Sequence, residues 1–323
     1  MASPLSTRLI SGAVAMALGA MAVGASAQGP ILSLYDQPKY AAILVDAKTG
    51  EVLYSRRADA ARAPASITKV MTMYLAFEAL AKGDLRLDER IPMSWHAINQ
   101  APSRLGLGKG QKIDLDDAMR VIATKSANDV AVALAERIGG SEARFAEMMN
   151  TKARELGMRN TNFVNATGLP SPMHETTARD LALLSMALLK NYPKYYAYFS
   201  QQQYEYGKLK WANHNHLLGK LPGCDGIKTG YTAAAGYTLA ASAQRDGRRL
   251  VAVVLGGPSG NARDGNVTAL IDAGFDVLKR RANGERATVA ASLDEPNDFA
   301  GFDSPTISGG GDFTHAGGPG TRR

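Results

Sequence analysis

The stretch Pro64-Ala65-Ser66-Ile67-Thr68-Lys69-Val70-Met71-Thr72 constrains the fold more than any other part of the sequence. Its mostly apolar continuation and the leading Pro64 predict a helix over residues 65–80. Ser66 and Lys69 then share one helix face, with Cβ atoms about 5–6 Å apart. A serine hydroxyl that attacks a carbonyl needs a neighbour to accept its proton, and a lysine can do so only as a neutral amine. The pair therefore predicts a nucleophile and its base, provided that burial or a second cation lowers the lysine pKa from about 10.4.

Two further motifs follow in a fixed order. Ser126-Ala127-Asn128 supplies a hydroxyl and an amide, and Lys228-Thr229-Gly230 supplies a second lysine, a hydroxyl and a position without a side chain. An isolated S-x-x-K occurs about once by chance in a chain this long, and a solvated lysine at a helix start is its alternative interpretation. The three motifs in this order, with gaps of 60 and 102 residues, are those of penicillin-binding proteins and class A β-lactamases.

The chain accordingly resembles the low-molecular-mass penicillin-binding proteins, the D-alanyl-D-alanine carboxypeptidases of serine peptidase family S11. The likeness runs over residues 38–280 and includes four more segments. They are Lys125-Ser126-Ala127-Asn128-Asp129, Asn165-Ala166-Thr167-Gly168-Leu169-Pro170, Thr176-Thr177-Ala178-Arg179-Asp180 and Asp225-Gly226-Ile227-Lys228-Thr229-Gly230-Tyr231-Thr232.

The resemblance implies a catalytic set. Ser66 is expected to attack the carbonyl between two D-alanines while Lys69 accepts its proton, which forms an acyl-enzyme and releases the terminal D-alanine. Ser126 is expected to relay a proton to the leaving amine. The backbone N–H groups of Ser66 and Tyr231 are expected to form the oxyanion hole.

The resemblance also implies a substrate-binding set. Asn128 is expected to hold the substrate amide, and Lys228 to attract the anionic end of the peptide while it lowers the pKa of the first lysine. Thr229 is expected to hydrogen-bond the substrate carboxylate, and Gly230 to let the substrate backbone approach the strand. Arg263, 35 residues after Lys228, matches an arginine that helps to hold the carboxylate; a solvated loop arginine is the alternative.

The pattern along the chain predicts an α/β fold of the α+β type. Two amino-terminal strands and three carboxyl-terminal strands flank a helical middle, which indicates one antiparallel five-stranded sheet flanked by helices, with an inserted helical lobe. The resemblance implies that this is the fold of serine β-lactamases and penicillin-binding-protein transpeptidase domains. The predicted strands are 40–46, 51–56, 225–231, 236–244 and 250–255, and the later helices are 113–124, 129–138, 142–156, 177–189 and 266–281.

Three regions are expected along the chain. Residues 1–27 form a predicted signal peptide, with Arg8, an apolar run and the cleavage site Ala25-Ser26-Ala27; an uncleaved membrane anchor is the alternative. Residues 28–282 form the predicted D,D-peptidase domain. Residues 283–323, rich in Gly, Asp and Pro, are predicted to be a disordered tail, and they lack the amphipathic anchoring helix of many family members. The sequence therefore predicts an exported protein of the periplasm or cell envelope with no stable membrane anchor.

Charge and family resemblance together predict the partners. The 37 basic and 30 acidic residues give a net charge of +7, which suits either a polyanionic cell envelope or nucleic acid. Because an export signal is present and no nucleic-acid-binding motif is found, we expect peptidoglycan stem peptides and not nucleic acid. β-Lactam antibiotics are expected as covalent inhibitors, by resemblance, and no cofactor is expected.

The remaining reactive residue types are interpreted as structural. Cys224 is the one cysteine, so it cannot form a disulfide within the chain; a small residue at a strand edge is favoured over a reactive thiol. His214 and His216 have no third metal ligand near them and are interpreted as surface or cleft-rim residues, with no metal site. His174 is interpreted as structural, and Asp180 as a residue that caps or pins its helix.

Three other functions remain open from the sequence. A D,D-endopeptidase that cuts peptide cross-links would use the same residues. A serine β-lactamase would need a deacylating glutamate between the second and third motifs, and none can be matched. A non-catalytic wall-binding protein would have little need of a serine and a lysine one turn apart.

Overall fold

The computed structural model describes Met1 and residues 39–293, so the predicted signal peptide and the tail from residue 294 lie outside the described residues. The strands are β1 Ala41–Asp46, β2 Val52–Arg56, β3 Arg90–Pro92, β4 Lys112–Asp114, β5 Gln203–Tyr206, β6 Leu209–Ala212, β7 Cys224–Thr232, β8 Gly236–Arg245 and β9 Arg248–Gly257. The α-helices are α1 Thr68–Lys82, α2 Trp95–Ile98, α3 Leu115–Thr124, α4 Asn128–Gly139, α5 Glu142–Glu155, α6 Ala178–Asn191, α7 Gly260–Ala282 and α8 Val289–Ser292.

The predicted five-stranded antiparallel sheet is confirmed. Its strand order is β2-β1-β9-β8-β7, so the first two strands of the chain pair with the last three. Helices α1 to α6 all fall in the chain between β2 and β7, which makes them an insertion between the two parts of the sheet. Strand β7 carries the Lys228-Thr229-Gly230 motif and is an edge strand of this sheet.

The sheet is buried on both faces, which explains why its central strands read as nearly continuous apolar runs. Ile43 of β1 pairs with Val253 of β9, and both pack into the core shared with the helical lobe. Their neighbours Ala42 and Val254 also pair, but they face the opposite side, where α7 and α8 complete a second core. Each strand thus contributes alternate residues to two cores.

Several short elements were not predicted. The segment between residues 83 and 110 contains β3 and α2, and β3 pairs with β4, so the predicted helix 113–124 begins later, at Leu115. Strands β5 and β6 form a hairpin that the sequence analysis missed. The predicted helix 65–80 begins as a 3-10 turn, Ala65–Ile67, before α1 starts at Thr68. The last long helix begins at Gly260 and not at residue 266.

The boundary of the predicted tail needs correction. A disordered tail was expected from residue 283, but residues 283–293 form a turn and the short helix α8. The Val289 side chain is fully buried in the core beneath α7, and Arg281 donates to the Ala287 carbonyl. Composition was a poor guide here because a few apolar residues pack this short segment against the second core: Ala287 and Val289 are buried, and Ala290 and Leu293 contact it. The rest of the predicted tail lies outside the described residues.

An aromatic cluster fixes the position of α1. The Phe77 ring is fully buried and stacks on Tyr195 and Tyr198, with ring centroids 5.2 and 5.8 Å apart, and it meets Phe199 edge to face. These partners belong to the segment around the 3-10 helix Tyr196–Ser200, which contacts β7. The cluster therefore couples the helix that follows Ser66 to the strand that carries Lys228.

Replacement of Phe77 by alanine is expected to destabilise the fold by about 3–5 kcal/mol, because a ring with stacked neighbours leaves a cavity. Urea unfolding followed by circular dichroism measures this free energy. Trp95→Ala is the matched control, since the Trp95 side chain is 64% exposed and its loss should change stability by less than about 0.5 kcal/mol. Equal unfolding midpoints for the two variants would contradict the proposed anchoring.

Candidate active site

The three sequence motifs meet at one cleft. It lies between the edge strand β7, the start of α1 and the junction of α3 and α4, and its volume is about 340 Å³. Residues separated by more than 150 positions in the chain thus line one surface. The cleft is lined by Ser66, Pro102, Ser103, Ser126, Asn128, Gly168, Leu169, His214, His216, Thr229, Gly230, Tyr231, Thr232, Tyr237, Gly260 and Arg263.

Ser66 lies in the 3-10 turn that precedes α1. The turn begins at Ala65, whose φ of 48° is unusual for a residue with a side chain. The backbone of β7 passes close by: a Cβ on Gly230 would lie 2.7 Å from the Ser66 nitrogen and 2.9 Å from the Ala65 Cβ. Glycine is therefore required at this position for the strand to pass alongside Ser66.

Lys69 is fully buried, and its amine has three hydrogen-bond partners. Nζ lies 3.0 Å from Ser66 Oγ, 2.7 Å from Asn128 Oδ1 and 2.6 Å from the Thr167 carbonyl oxygen. The amide and carbonyl oxygens can only accept hydrogen bonds, so they take two N–H groups of the amine. Ser66 Oγ occupies the third direction, where a neutral amine has its lone pair.

The surroundings of Lys69 favour this neutral form. Burial is the main cause that holds the Lys69 pKa well below its ordinary value, and the nearby Lys228 lowers it further against an opposing effect of Asp129. Burial, followed by the charge of Arg263, lowers the pKa of Lys228 to about 7. The sequence analysis required burial or a second cation to lower the pKa of Lys69; in the structure both act, and burial is the larger cause.

The Ser126-Ala127-Asn128 motif follows α3 and opens α4. Ser126 adopts a φ of 64°, a strained conformation for a serine, and its buried hydroxyl has no hydrogen-bond partner among residues 39–293. Two hydrogen bonds hold Asn128 in place. Its side-chain Nδ2 donates to the Ala101 carbonyl at 2.8 Å, and its backbone N–H donates to the Ser103 carbonyl at 2.7 Å. Because the Ala101 carbonyl can only accept, the Asn128 oxygen must face Lys69.

The Lys228-Thr229-Gly230 motif lies in the middle of β7. Lys228 is 1% exposed, and its Nζ donates to the Thr229 carbonyl at 3.0 Å. Thr229 and Gly230 line the cleft, while Tyr231 is 57% exposed at its edge, with its ring 4.3 Å from that of Tyr237 between centroids.

Arg263 lines the same cleft, but it is already paired. Its Nε and Nη2 atoms lie 2.9 and 2.7 Å from Oδ1 of the adjacent Asp264, and Nη1 donates to the Thr238 carbonyl at 3.4 Å. His216 lies 3.8 Å from the other Asp264 oxygen. The Nε/Nη2 edge of the guanidinium is thus engaged within the protein.

The Thr167 carbonyl is a site group that the sequence analysis did not assign. The turn that carries it is closed by Asn165, whose Oδ1 accepts from the backbone N–H groups of Thr167 and Gly168 at 3.1 and 2.8 Å. The Asn165 Nδ2 group donates to Leu169 at 3.0 Å. Asn165, three residues before Gly168, is a turn signal in the sequence. It does not indicate that the Thr167 carbonyl oxygen accepts from Lys69.

His174 and Asp180 hold the segment around this turn. His174 is buried, and burial, followed by Lys69, lowers its pKa to about 4. Asp180 does not cap α6; Thr177 accepts from its backbone N–H at 3.0 Å and is the cap. The Asp180 carboxylate instead accepts from the Asn160 N–H and the Thr161 hydroxyl at 2.8 and 2.7 Å.

The other residues singled out in the sequence lie near the cleft. His214 and His216 are on its rim, and within residues 39–293 no three metal-ligating side chains cluster together. Removal from water and nearby cations, first Lys228, lower the pKa of His214 to about 4. Cys224 is half-buried at the start of β7, and burial raises the pKa of its thiol to about 11, which makes the thiolate scarce at neutral pH.

Comparison with known proteins decides the family. The sequence profile described as D-alanyl-D-alanine carboxypeptidase, peptidase S11, matches residues 34–259. The chain belongs to the D-alanyl-D-alanine carboxypeptidase family. It is 40% identical over 238 residues to the carboxypeptidase DacF of Bacillus subtilis, an alignment that covers 72% of this chain and 61% of DacF. It is 33% identical to DacA of Escherichia coli K12, with 72% of this chain and 60% of DacA aligned. This family member thus spans about three fifths of the length of these relatives.

The family fold is also found by structural comparison. Penicillin-binding protein 5 from Haemophilus influenzae superposes with a TM-score of 0.71 at 33% identity, covering 73% of this chain and 70% of that protein. Penicillin-binding protein D2 from Listeria monocytogenes, in its ampicillin-bound form, superposes with a TM-score of 0.65 at 33% identity, covering 73% and 96%. The predicted penicillin-binding-protein fold is confirmed.

The lowered pKa of His174 predicts a pH dependence of stability. The unfolded chain protonates this imidazole near pH 6.5, but the folded protein does so only near pH 4, so stability is full above about 6.5 and falls as pH drops toward 4. We expect wild type to lose up to about 3 kcal/mol more than His174→Gln between pH 7 and pH 4. Urea unfolding of both proteins across this range measures the difference. Carboxyl groups titrate in both proteins, so parallel losses would contradict the prediction.

Proposed function

We propose that this protein is a serine D-alanyl-D-alanine carboxypeptidase that removes the terminal D-alanine from peptidoglycan stem pentapeptides through an acyl-enzyme on Ser66. One observation carries the proposal. The buried Lys69 amine bonds to two oxygens that can only accept, from Asn128 and Thr167, and its third direction meets Ser66 Oγ at 3.0 Å. This arrangement equips the amine to take the serine proton. Family membership and the names of the relatives support the same activity.

Acylation begins when Lys69 accepts the Ser66 proton as the serine oxygen attacks the scissile carbonyl. The backbone N–H groups of Ser66 and Tyr231 receive the developing oxyanion. The close approach of β7 to the Ser66 nitrogen, where a Gly230 Cβ would lie 2.7 Å away, supports this pair. The proton then passes to the departing amine through Ser126, whose buried hydroxyl is free of internal partners within the described residues.

Substrate binding uses the edge of the sheet. As an edge strand, β7 has backbone groups available to an extended peptide. The second Nδ2 hydrogen of Asn128 is available to a substrate carbonyl, because the first is bonded to Ala101. Lys228 and Thr229 attract and bond the terminal carboxylate. Arg263 adds positive potential, but its bonds to Asp264 make it a supporting residue and not the main carboxylate ligand.

Penicillins should acylate Ser66 by the same step and remain bound. Among the described residues that line the cleft, none carries a carboxylate, so a deacylating glutamate of the β-lactamase type is missing from that surface. Slow turnover of β-lactams follows, and the serine β-lactamase alternative is disfavoured. The ampicillin-bound and cefotaxime-bound forms of the Listeria relative support penicillin binding. A purely wall-binding protein would not require a buried amine beside a serine hydroxyl.

The proposed substrate lies outside the cytoplasmic membrane, in agreement with the signal peptide proposed for residues 1–27. Within the described residues, no helix is long and apolar enough to cross a bilayer. We place the catalytic domain from residue 28 to the end of α8, with a Gly-rich and Asp-rich segment after it.

Ser66→Ala should abolish D-alanine release from a muropeptide pool of pentapeptide monomers and cross-linked dimers, because it removes the nucleophile. Mass spectrometry of the pool, with residues 28–323 as enzyme, measures the loss of one alanine. Ser126→Ala is the matched control: it removes a second cleft hydroxyl, and it should slow alanine release while still forming a covalent adduct with fluorescent penicillin. Conversion of dimers to monomers without alanine release would instead identify an endopeptidase. Activity that persists in Ser66→Ala would exclude the proposed mechanism.

Asn128→Asp tests the neutral amine. A carboxylate 2.7 Å from Lys69 Nζ would favour the ammonium form and raise the lysine pKa, so the lone pair would be lost at neutral pH. We expect the rate of acylation by fluorescent penicillin at pH 7 to fall about 100-fold or more and to recover partly as pH rises.

Asn99→Asp makes the same change at an exposed position of the structure and should leave the acylation rate unaltered. An Asn128→Asp protein that acylates at the wild-type rate at pH 7 would rule out a neutral Lys69 as the base.

A further inference from the structure

The segment before α6 is bonded to α1 at three successive points. The Thr72 hydroxyl donates to the Ala166 carbonyl at 2.7 Å, and Lys69 Nζ donates to the Thr167 carbonyl at 2.6 Å. The third contact joins Thr68 Oγ1 to His174 Nε2 at 2.9 Å. The three α1 side chains are fully buried, so these bonds are shielded from water.

The second nitrogen of His174 defines its tautomer. The backbone N–H of Val164 points at Nδ1 from 3.2 Å, so Nδ1 is an acceptor. In the neutral ring the hydrogen is therefore on Nε2, which donates to the Thr68 hydroxyl. The ring is 6% exposed and meets Phe163 edge to face. The His174 imidazole thus connects Val164, which lies just before the turn, to Thr68, the α1 residue next to Lys69.

There is no free space between the turn and the nucleophile. Gly168 has a φ of 81°, and a Cβ placed on it would lie 1.8 Å from the Ala65 carbonyl oxygen and 2.9 Å from Thr68 Oγ1. The turn therefore rests on the backbone that presents Ser66. A displacement of residues 164–168 would move the Thr167 carbonyl away from Lys69 directly.

We propose that His174 is a positioning residue for acylation: as the Nε2–H tautomer it holds residues 164–168 on α1, so that the Thr167 carbonyl occupies one N–H of Lys69 and directs the lone pair at Ser66. This inference rests on the proposed function. His174 is not among the residues that line the cleft, and it acts through Thr68 and Thr167.

Loss of the His174–Thr68 hydrogen bond should change the basicity of Lys69. Burial is the main cause of the lowered Lys69 pKa, so water admitted by a displaced turn would raise that pKa toward its ordinary value. Lys69 is also the titratable group that acts on His174, which contacts Thr68, the Val164 N–H and the Phe163 ring. The burial that keeps the imidazole neutral supports the same tautomer through the physiological pH range.

The test is the pH profile of the second-order rate constant for acylation by fluorescent penicillin, measured on residues 28–323. His174→Phe keeps a ring of similar volume but removes both hydrogen bonds, and Thr68→Val removes only the hydroxyl. Each variant should acylate about tenfold more slowly at pH 7, with the acid limb of its profile displaced by about one pH unit to higher pH.

Two further variants sharpen the test. His174→Gln retains a donor that can reach Thr68 and should restore the acid limb to its wild-type position. The double variant His174→Phe/Thr68→Val should be no slower than either single variant, because both remove the same bond. If His174→Phe does not fold, Thr68→Val and His174→Gln still provide the comparison.

The outcomes separate this inference from the proposed function. A wild-type protein that forms no penicillin adduct would overturn both. A normal wild-type adduct with an unmoved acid limb in Thr68→Val and His174→Phe, accompanied only by a lower melting temperature, would overturn the positioning role alone and leave His174 a structural residue.

Discussion

The structure depends on a buried lysine amine whose three hydrogen-bond partners are all uncharged. An ammonium ion in such a place would be costly, and burial accordingly lowers the pKa of Lys69 well below its ordinary value. A neutral amine needs two acceptors and one donor around it, and in this protein they come from separate parts of the chain: the start of α4, the turn before α6 and Ser66 itself. The fold must therefore hold two distant segments, and the turn that carries Ser66, within hydrogen-bond distance of one nitrogen atom.

Each of these segments is fixed by contacts of its own. Asn128 cannot flip, because Ala101 accepts from its Nδ2 group, and the loop before it is tied by Asp129, which accepts from the Leu105 and Gly106 N–H groups at 2.9 Å each. Strand β7 of the sheet forms the remaining wall of the cleft. Since α1 packs against the aromatic segment that contacts β7, a displacement of the sheet would also displace the turn that carries Ser66. Precise placement of this kind is what makes proton transfer between fixed groups efficient.

Sequence and structure agree where side chains carry the signal. The three motifs predicted the meeting of Ser66, Lys69 and Asn128, and the apolar runs predicted the sheet and its helical insertion. The β5–β6 hairpin escaped prediction because tertiary contacts hold it: Trp211 donates to Thr124 at 2.8 Å, and the Tyr204 hydroxyl bonds to Asp117. The Thr167 carbonyl could not be predicted because every residue has a backbone oxygen, and only the folded structure shows which one accepts from Lys69. The pairing of Arg263 with Asp264 depends on rotamers, which no spacing rule specifies.

The conformation of Ser126 has a thermodynamic consequence for the resting protein. A non-glycine residue at a positive φ and a buried hydroxyl without a hydrogen-bond partner each store roughly 1–3 kcal/mol, and within residues 39–293 both occur at Ser126. A ligand whose polar atom bonds that hydroxyl would recover part of this stored free energy. Selection for stability alone would remove such a serine, so its presence is the trade-off expected if Ser126 takes part in the proposed reaction.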